Sequence, residues 1–220
     1  MRSLNPDIVL LGYQMVIQRP KAPGPGNTIL RKSRDYAVYP WGTVPTVPGE
    51  HPGARTEIYD PRSPHWQDLF IKACGATLNS YPFDGLFLDQ CTVFFKASPI
   101  PYVREEMRKA LQATLIRLRN EFPDANLVGN SAYNWVGLNG EMDEGRPDDM
   151  AKQFAPFSGH VPPYMNMYQS VLKRANDVET VKREIAMAFR YGAYYGAAVN
   201  YQHVLWFDVF NRVMEEYRSS

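Results

Sequence analysis

The chain has 220 residues, 45% hydrophobic and 13% aromatic, with 24 Lys+Arg against 23 Asp+Glu and a net charge of +1. A chain this long buries enough surface to support its own core, and its aromatic content exceeds that of a solvating, disordered chain. The charge balance excludes a nucleic-acid binder that works through a general basic excess. No apolar run approaches the roughly 18 residues that a membrane span needs, and residues 1–7 lack the apolar stretch of a signal peptide. Cys74 and Cys91 are too few for a disulfide framework and show no metal-ligand spacing. The expectation is a soluble globular protein, one domain over residues 1–220, with its compartment left open.

Ile8-Val9-Leu10-Leu11-Gly12-Tyr13 is a continuous apolar run, as expected of a strand buried on both faces. Residues 19–55 are rich in Pro and Gly and read as a long irregular stretch, which in a compact domain is usually functional or disordered. Thr56-Glu57-Ile58-Tyr59 reads as a short strand before an Asp60-Pro61 turn. Ser63 is a good N-cap and Pro64 suits a first helical position. Trp66, Leu69, Phe70, Ala73, Cys74 and Leu78 then form one helical stripe, on which Cys74 reads as a buried free thiol.

Gly85-Leu86-Phe87-Leu88-Asp89 follows as a strand, and a second helix is expected from Pro101 to Phe122. Further strands are expected at Asn126–Asn130, in a unit around Gly140–Glu144, at Tyr164–Gln169 and at Gly196–Tyr201. Between and after them, helices are expected over 148–154, after an Asp177 cap with Val178, Val181, Ile185 and Phe189, and at the end with Phe207, Phe210, Met214 and Tyr217. Repeated strand–helix alternation implies a parallel α/β fold, either a closed (β/α) barrel or an open doubly wound sheet. No G-x-G-x-x-G or Walker A sequence is present, which weakens the nucleotide-binding open sheet.

The residues just past the expected strand ends are polar or carry a hydrogen-bonding tip. They include Tyr13, Tyr59, Asp89-Gln90, Asn130, Glu144, Tyr168-Gln169, Tyr201 and His203. A parallel barrel gathers such ends on one face, where its active sites lie. Tyr, Asn, Gln and carboxylates there suit a polyhydroxylated ligand, through ring faces and through paired donors and acceptors. Asp84 and Asp89 are not a catalytic pair. Five residues of strand separate them by about 16 Å and alternation turns them to opposite faces, whereas glycosidic carboxylates lie roughly 5–10 Å apart. Asp89, at the C-terminal end, is the candidate, and Asp84 reads as structural. Glu144 is the best-placed partner, with Asp143 and Glu141 competing. The four histidines show no zinc-site spacing, so no metal and no cofactor are expected.

In order along the chain, Asp60-Pro61-Arg62-Ser63-Pro64-His65-Trp66, Phe83-Asp84-Gly85-Leu86-Phe87-Leu88-Asp89, Gly129-Asn130, Leu138 to Gly145, Tyr164 to Gln169 and Trp206-Phe207-Asp208 resemble glycoside-hydrolase-like TIM barrels. The resemblance spans Asn5 to Asp208. It implies an α/β fold of the (β/α)8 type and hydrolysis of a glycosidic bond in a polysaccharide or oligosaccharide, with Asp89 and Glu144 as the carboxylates. Tyr13, Tyr59, Gln90, Asn130, Tyr168, Gln169, Tyr201 and His203 would shape the sugar subsites. One departure stands out: the chain supplies seven expected strands at most, with the first strand–helix unit apparently absent. Either Tyr36-Ala37-Val38-Tyr39 fills the gap, or a second copy or partner chain completes the barrel, or the barrel is incomplete. The alternative to an enzyme is therefore a barrel that binds glycan without cleaving it or serves as a structural subunit.

Overall fold

Helix α2 (Pro64–Leu78) begins where the local chemistry says it should. The Ser63 hydroxyl accepts from Trp66 N at 3.2 Å, and Pro64 occupies the first turn without leaving an amide unpaired. Trp66, Phe70, Ala73, Cys74 and Thr77 form its buried face, and the Trp66 and Phe70 rings stack with centroids 5.2 Å apart. Both cysteines are free and buried. The computed structural model describes residues 6–20, 23–34, 36–38, 57–91, 101–130, 135–143, 161–162, 165–170, 178–197 and 215.

The face of α2 packs on a six-stranded sheet whose adjacent pairs are all parallel. Its strands are β1 (Leu11–Met15), β4 (Gly85–Asp89), β5 (Asn126–Asn130), β6 (Gly140–Asp143), β7 (Met167–Ser170) and β8 (Tyr194–Ala197), adjacent in that order. Helix α3 (Pro101–Glu121) joins β4 to β5, and α4 (Val178–Arg190) precedes β8. Leu86, Leu88 and Leu127 from the strands meet Trp66, Phe70, Cys74, Leu111, Leu115 and Leu118 from the helices in one core. The result is a mixed α/β fold built on a parallel sheet. Among the described residues no helix is long and apolar enough to cross a membrane.

Three expectations are corrected. First, residues 56–59 do not join the parallel series. Strand β3 (Glu57–Tyr59) pairs antiparallel with β2 (Tyr36–Val38) in a separate two-stranded sheet, so neither segment fills a place in the main one. A three-residue strand carries too little pattern to specify its partner. Second, the stretch over 19–55 contains a helix, α1 (Pro25–Leu30). Its proline sits in the first turn, where the missing amide costs nothing. Gly26 lies so close to α2 and β1 that a Cβ there would collide with Gln14 Oε1, Thr77 Oγ1 and the Ala73 carbonyl. Third, on α4 the buried positions are Val181, Glu184, Ile185 and Ala188, while Phe189 is 55% exposed. The stripe follows 181, 185, 188 rather than 181, 185, 189.

Strand bounds also shift: the first strand ends at Met15 rather than Tyr13, and the last begins at Tyr194. The Asp177 cap and the helices expected over 148–154 and 207–217 fall outside the described residues, apart from helical Glu215.

The N-terminal ends of the strands are tied by polar groups. Asp84 accepts from Leu10 N through Oδ2 at 2.7 Å and donates its own amide to Leu10 O at 2.8 Å, while Asn126 N donates to Asp84 O at 2.9 Å. The role of Asp84 is structural. Nearby, Asn139 Oδ1 accepts from Leu127 N at 2.7 Å and from the Arg119 guanidinium, which also donates to the carbonyls of Gly137, Pro123 and Ala125. Burial pushes the Arg119 pKa down. Arg119→Met removes every one of these donors from half-buried acceptors, and is expected to cost about 2–3 kcal/mol. A urea-denaturation midpoint unchanged from wild type would contradict this assignment.

Candidate active site

In the parallel ladder, paired residues share a face, so the register sorts side chains into two sets. Gln14 is level with Leu88, Leu88 with Gly129 and Gly129 with Glu141, and this row faces the helices. Tyr13 is level with Phe87, and Met15 with Asp89, on the other face. At the C-terminal end of β4 this second face presents a carboxylate held by three donors. Tyr13 Oη donates to Asp89 Oδ2 at 2.5 Å, Asn130 Nδ2 to Oδ1 at 2.9 Å, and Gln90 N to Oδ1 at 2.8 Å. These donors come from β1, from β5 and from the turn after β4. The backbone is pinned as well, since Val16 N donates to Asp89 O at 2.9 Å and Cys91 N to Asn130 O at 3.2 Å.

Two features of this end suit a reacting group. Gln90 has φ 59°, a left-handed conformation that non-glycine residues rarely adopt, and such strain concentrates at functional sites. Tyr13 is 48% exposed although its hydroxyl is engaged, and its ring lies 6.2 Å from that of Phe87. The site therefore offers an open aromatic surface beside an oriented carboxylate. Behind it, the Cys91 thiol donates to Leu88 O at 3.1 Å, and burial, reinforced by the Asp89 charge, pushes its pKa up. That keeps the thiol protonated and unreactive.

The residues singled out from the sequence separate into three groups. Asp89, Tyr13, Gln90 and Asn130 are brought together. Tyr59 is set apart: it is fully buried, its ring lies 6.2 Å from that of Trp66, and its hydroxyl donates to Leu30 O at 2.8 Å. That leaves it no face for a sugar, because a tyrosine that ends a short strand over the α1–α2 core fills that core. Tyr168 and Gln169 are placed by their backbone alone, level with Tyr195 and Gly196 of β8. Glu144, Tyr201 and His203 lie outside the described residues.

Of the competing acids, Glu141 is level with Gly129 on the helix-facing row and only 2% exposed, so it points away from Asp89. Met142, level with Asn130, occupies the Asp89 face. Phe87 is the contributor that the sequence reading passed over. Its signal was simple alternation, two residues before Asp89. Among the described residues no three His, Cys, Asp or Glu side chains gather as a metal site.

Asp60, also past a strand end, is committed elsewhere. Its carboxylate takes the Arg62 guanidinium at 2.8 Å, and Arg62 reaches on to Glu106 of α3 at 3.2 Å. Burial raises the Asp60 pKa, but the Arg62 hydrogen bonds and charge outweigh it and leave the carboxyl below its ordinary value. A depressed folded pKa contributes stability that is complete above the unfolded value, about 4, and is lost as pH falls through the folded value. Arg62→Ala is therefore expected to destabilise the fold by about 0.5–1 kcal/mol at pH 7. The difference from wild type should shrink as pH drops below about 4. Thermal melts at pH 7 and pH 3 check this, and a difference that grew in acid would contradict it.

No family model matches the chain, and no curated protein matches it. Its fold is similar to that of the glycoside hydrolase domain of PelA from Pseudomonas aeruginosa. The TM-score is 0.57 at 15% sequence identity, over 86% of this chain and 78% of that one. A variant of the same domain superposes with a TM-score of 0.55 at 16% identity over the same shares. At this identity the likeness is one of fold: a glycoside-hydrolase-like α/β arrangement around a parallel sheet.

Proposed function

We propose that the chain is a glycoside hydrolase of the (β/α) barrel type, in which Asp89 and Glu144 are the two carboxylates. The observation that carries this reading is the Asp89 cluster: a carboxylate at the C-terminal end of a parallel strand, oriented by Tyr13, Asn130 and the Gln90 amide. It sits on the sheet face away from the helices, and parallel barrels carry their chemistry at this end. The fold's likeness to a glycoside hydrolase domain supports the same class.

Glu144 is the partner that the sequence offers, at the end of the expected Gly140–Glu144 unit. Met142 is level with Asn130, so β6 contributes to the Asp89 face, which supports a partner carboxylate from the chain that follows it. Strands β4 and β6 are separated by β5, so their ends stand two spacings, about 10 Å, apart. That spacing is compatible with the separation of roughly 5–10 Å that glycoside hydrolysis needs.

In this mechanism Glu144 protonates the leaving oxygen, and Asp89 attacks the anomeric carbon or activates water. An acceptor aligned by three donors suits the nucleophile or base better than the acid. Tyr13 and Phe87 offer the ring surface for a sugar, and Tyr168, Gln169, Tyr201 and His203 complete the subsites. The reaction needs no cofactor.

Release of reducing ends from a panel of polysaccharides tests the proposal. Asp89→Asn and Glu144→Gln should each lower turnover by about 10²–10⁴-fold while circular dichroism stays unchanged. Tyr13→Phe should act mainly on kcat, because the lost hydroxyl orients Asp89 rather than the ground-state sugar. Full turnover in both carboxylate variants would sink the mechanism.

A further inference from the structure

Gln14 stands between two residues of the reacting end: Tyr13, whose hydroxyl donates to Asp89, and Met15, which is level with Asp89. It is fully buried on the helix-facing row, level with Leu88. An apolar side chain of similar volume would fill such a row without the cost of desolvating an amide. What the amide bonds to is therefore informative. Its Oε1 accepts from Thr77 Oγ1 at 3.0 Å, and its Nε2 donates to Met15 O at 2.9 Å and to Asn27 Oδ1 at 3.4 Å. Groups from α1, α2 and β1 thus meet on one side chain. Gly26 permits the approach, since a Cβ there would collide with Gln14 Oε1 and Thr77 Oγ1.

The bond to Met15 O reaches the site through a single peptide unit. In a trans peptide the C=O and N–H groups point in opposite directions. The carbonyl of the Met15–Val16 unit takes Gln14 Nε2, and its amide, Val16 N, donates to Asp89 O at 2.9 Å. Among the described residues β1 is an edge strand of the six-stranded sheet, and carbonyls on such an edge have no ladder partner. Gln14 supplies a partner from its own strand. Hydrogen bonds in series polarise and strengthen one another, and this series runs from Thr77 on α2 through Gln14 and the Met15–Val16 peptide to the main chain of Asp89.

We infer that Gln14 is a positioning residue for Asp89: held by Thr77 and Asn27, its carboxamide fixes the Met15–Val16 peptide and, through it, the main chain that carries the carboxylate. Tyr13, Asn130 and the Gln90 amide aim the carboxylate, and the Gln14 series sets where its backbone stands. The inference deepens the glycoside hydrolase reading and rests on it only for the chemistry that Asp89 performs. A reacting group displaced by about 1 Å loses on the order of a hundredfold in rate, so a buried residue that touches no substrate can still govern turnover.

Two variants test this in the full chain. Gln14→Met keeps the side-chain volume and removes all three bonds. Thr77→Val removes only the donor to Gln14 Oε1 and serves if the first does not fold. Arg119→Met, altered at the N-terminal ends of the strands, is the structural comparator. Amide hydrogen exchange followed by NMR should show Val16 N–H exchanging at least about tenfold faster relative to Leu86 and Leu88 in either Gln14→Met or Thr77→Val. The Gln90 amide and Asn130 side-chain amide signals should shift in the same variants and stay in place in Arg119→Met. On a polysaccharide from which the wild type releases reducing ends, kcat should fall about tenfold with KM within about twofold. Uniformly faster exchange across the core, an unchanged Val16 amide, unmoved Gln90 and Asn130 signals, or an unchanged kcat would each overturn the inference. Selective exchange at Val16 with shifted Gln90 and Asn130 signals, in a chain that hydrolyses no glycan, would support the positioning of Asp89 and count against the hydrolase reading alone.

Discussion

The register of β1 on β4 and of β4 on β5 is the constraint from which the rest of the molecule follows. It is set at the N-terminal end, where Leu10, Asp84 and Asn126 exchange hydrogen bonds across three chain segments, and it is read out at the other end, where Tyr13 and Asn130 converge on Asp89. In a sheet a slip of one residue moves every side chain to the opposite face. Here such a slip would send Leu86 and Leu88 out of the helix-packed core and bury Asp89 among Leu111, Leu115 and Trp66. The apolar row therefore enforces the register, and the register places the carboxylate. Stability and site geometry are two consequences of one alternation.

The same economy governs the region around β3. Tyr59 looks like a ligand-facing aromatic when judged by its place at a strand end, yet its amide, ring and hydroxyl are each used to tie β1, α1 and α2 together. Gly26 makes that joint tight, since α1 can approach Gln14 and Thr77 only where no Cβ intervenes.

What could be read from the sequence was whatever a local pattern specifies. Ser63-Pro64 and the stripe from Trp66 to Cys74 define α2, and the alternation in Gly85–Asp89 with its terminal carboxylate defines β4 and the site residue on it. Asn130 was legible for the same reason, as a polar residue closing an apolar strand. The features that escaped depend on contacts distant in sequence. Nothing in Glu57–Tyr59 reveals that it turns aside to pair with Tyr36–Val38, and α1 hides among prolines and glycines that elsewhere signal irregular chain. Glu141 could be set aside only when the ladder put it level with Gly129 on the helix-facing row, because face assignment is a property of the pair and not of the strand.

The central claim is that Asp89 stands against the anomeric carbon of a bound sugar. A crystal structure of the Asp89→Asn protein soaked with a hydrolysable oligosaccharide tests it most directly. The account predicts a sugar ring lying over Tyr13 and Phe87, with its anomeric carbon about 3–3.5 Å from the side chain at position 89 or separated from it by one water. A saccharide bound away from this face, with no ring within contact of position 89, would contradict it.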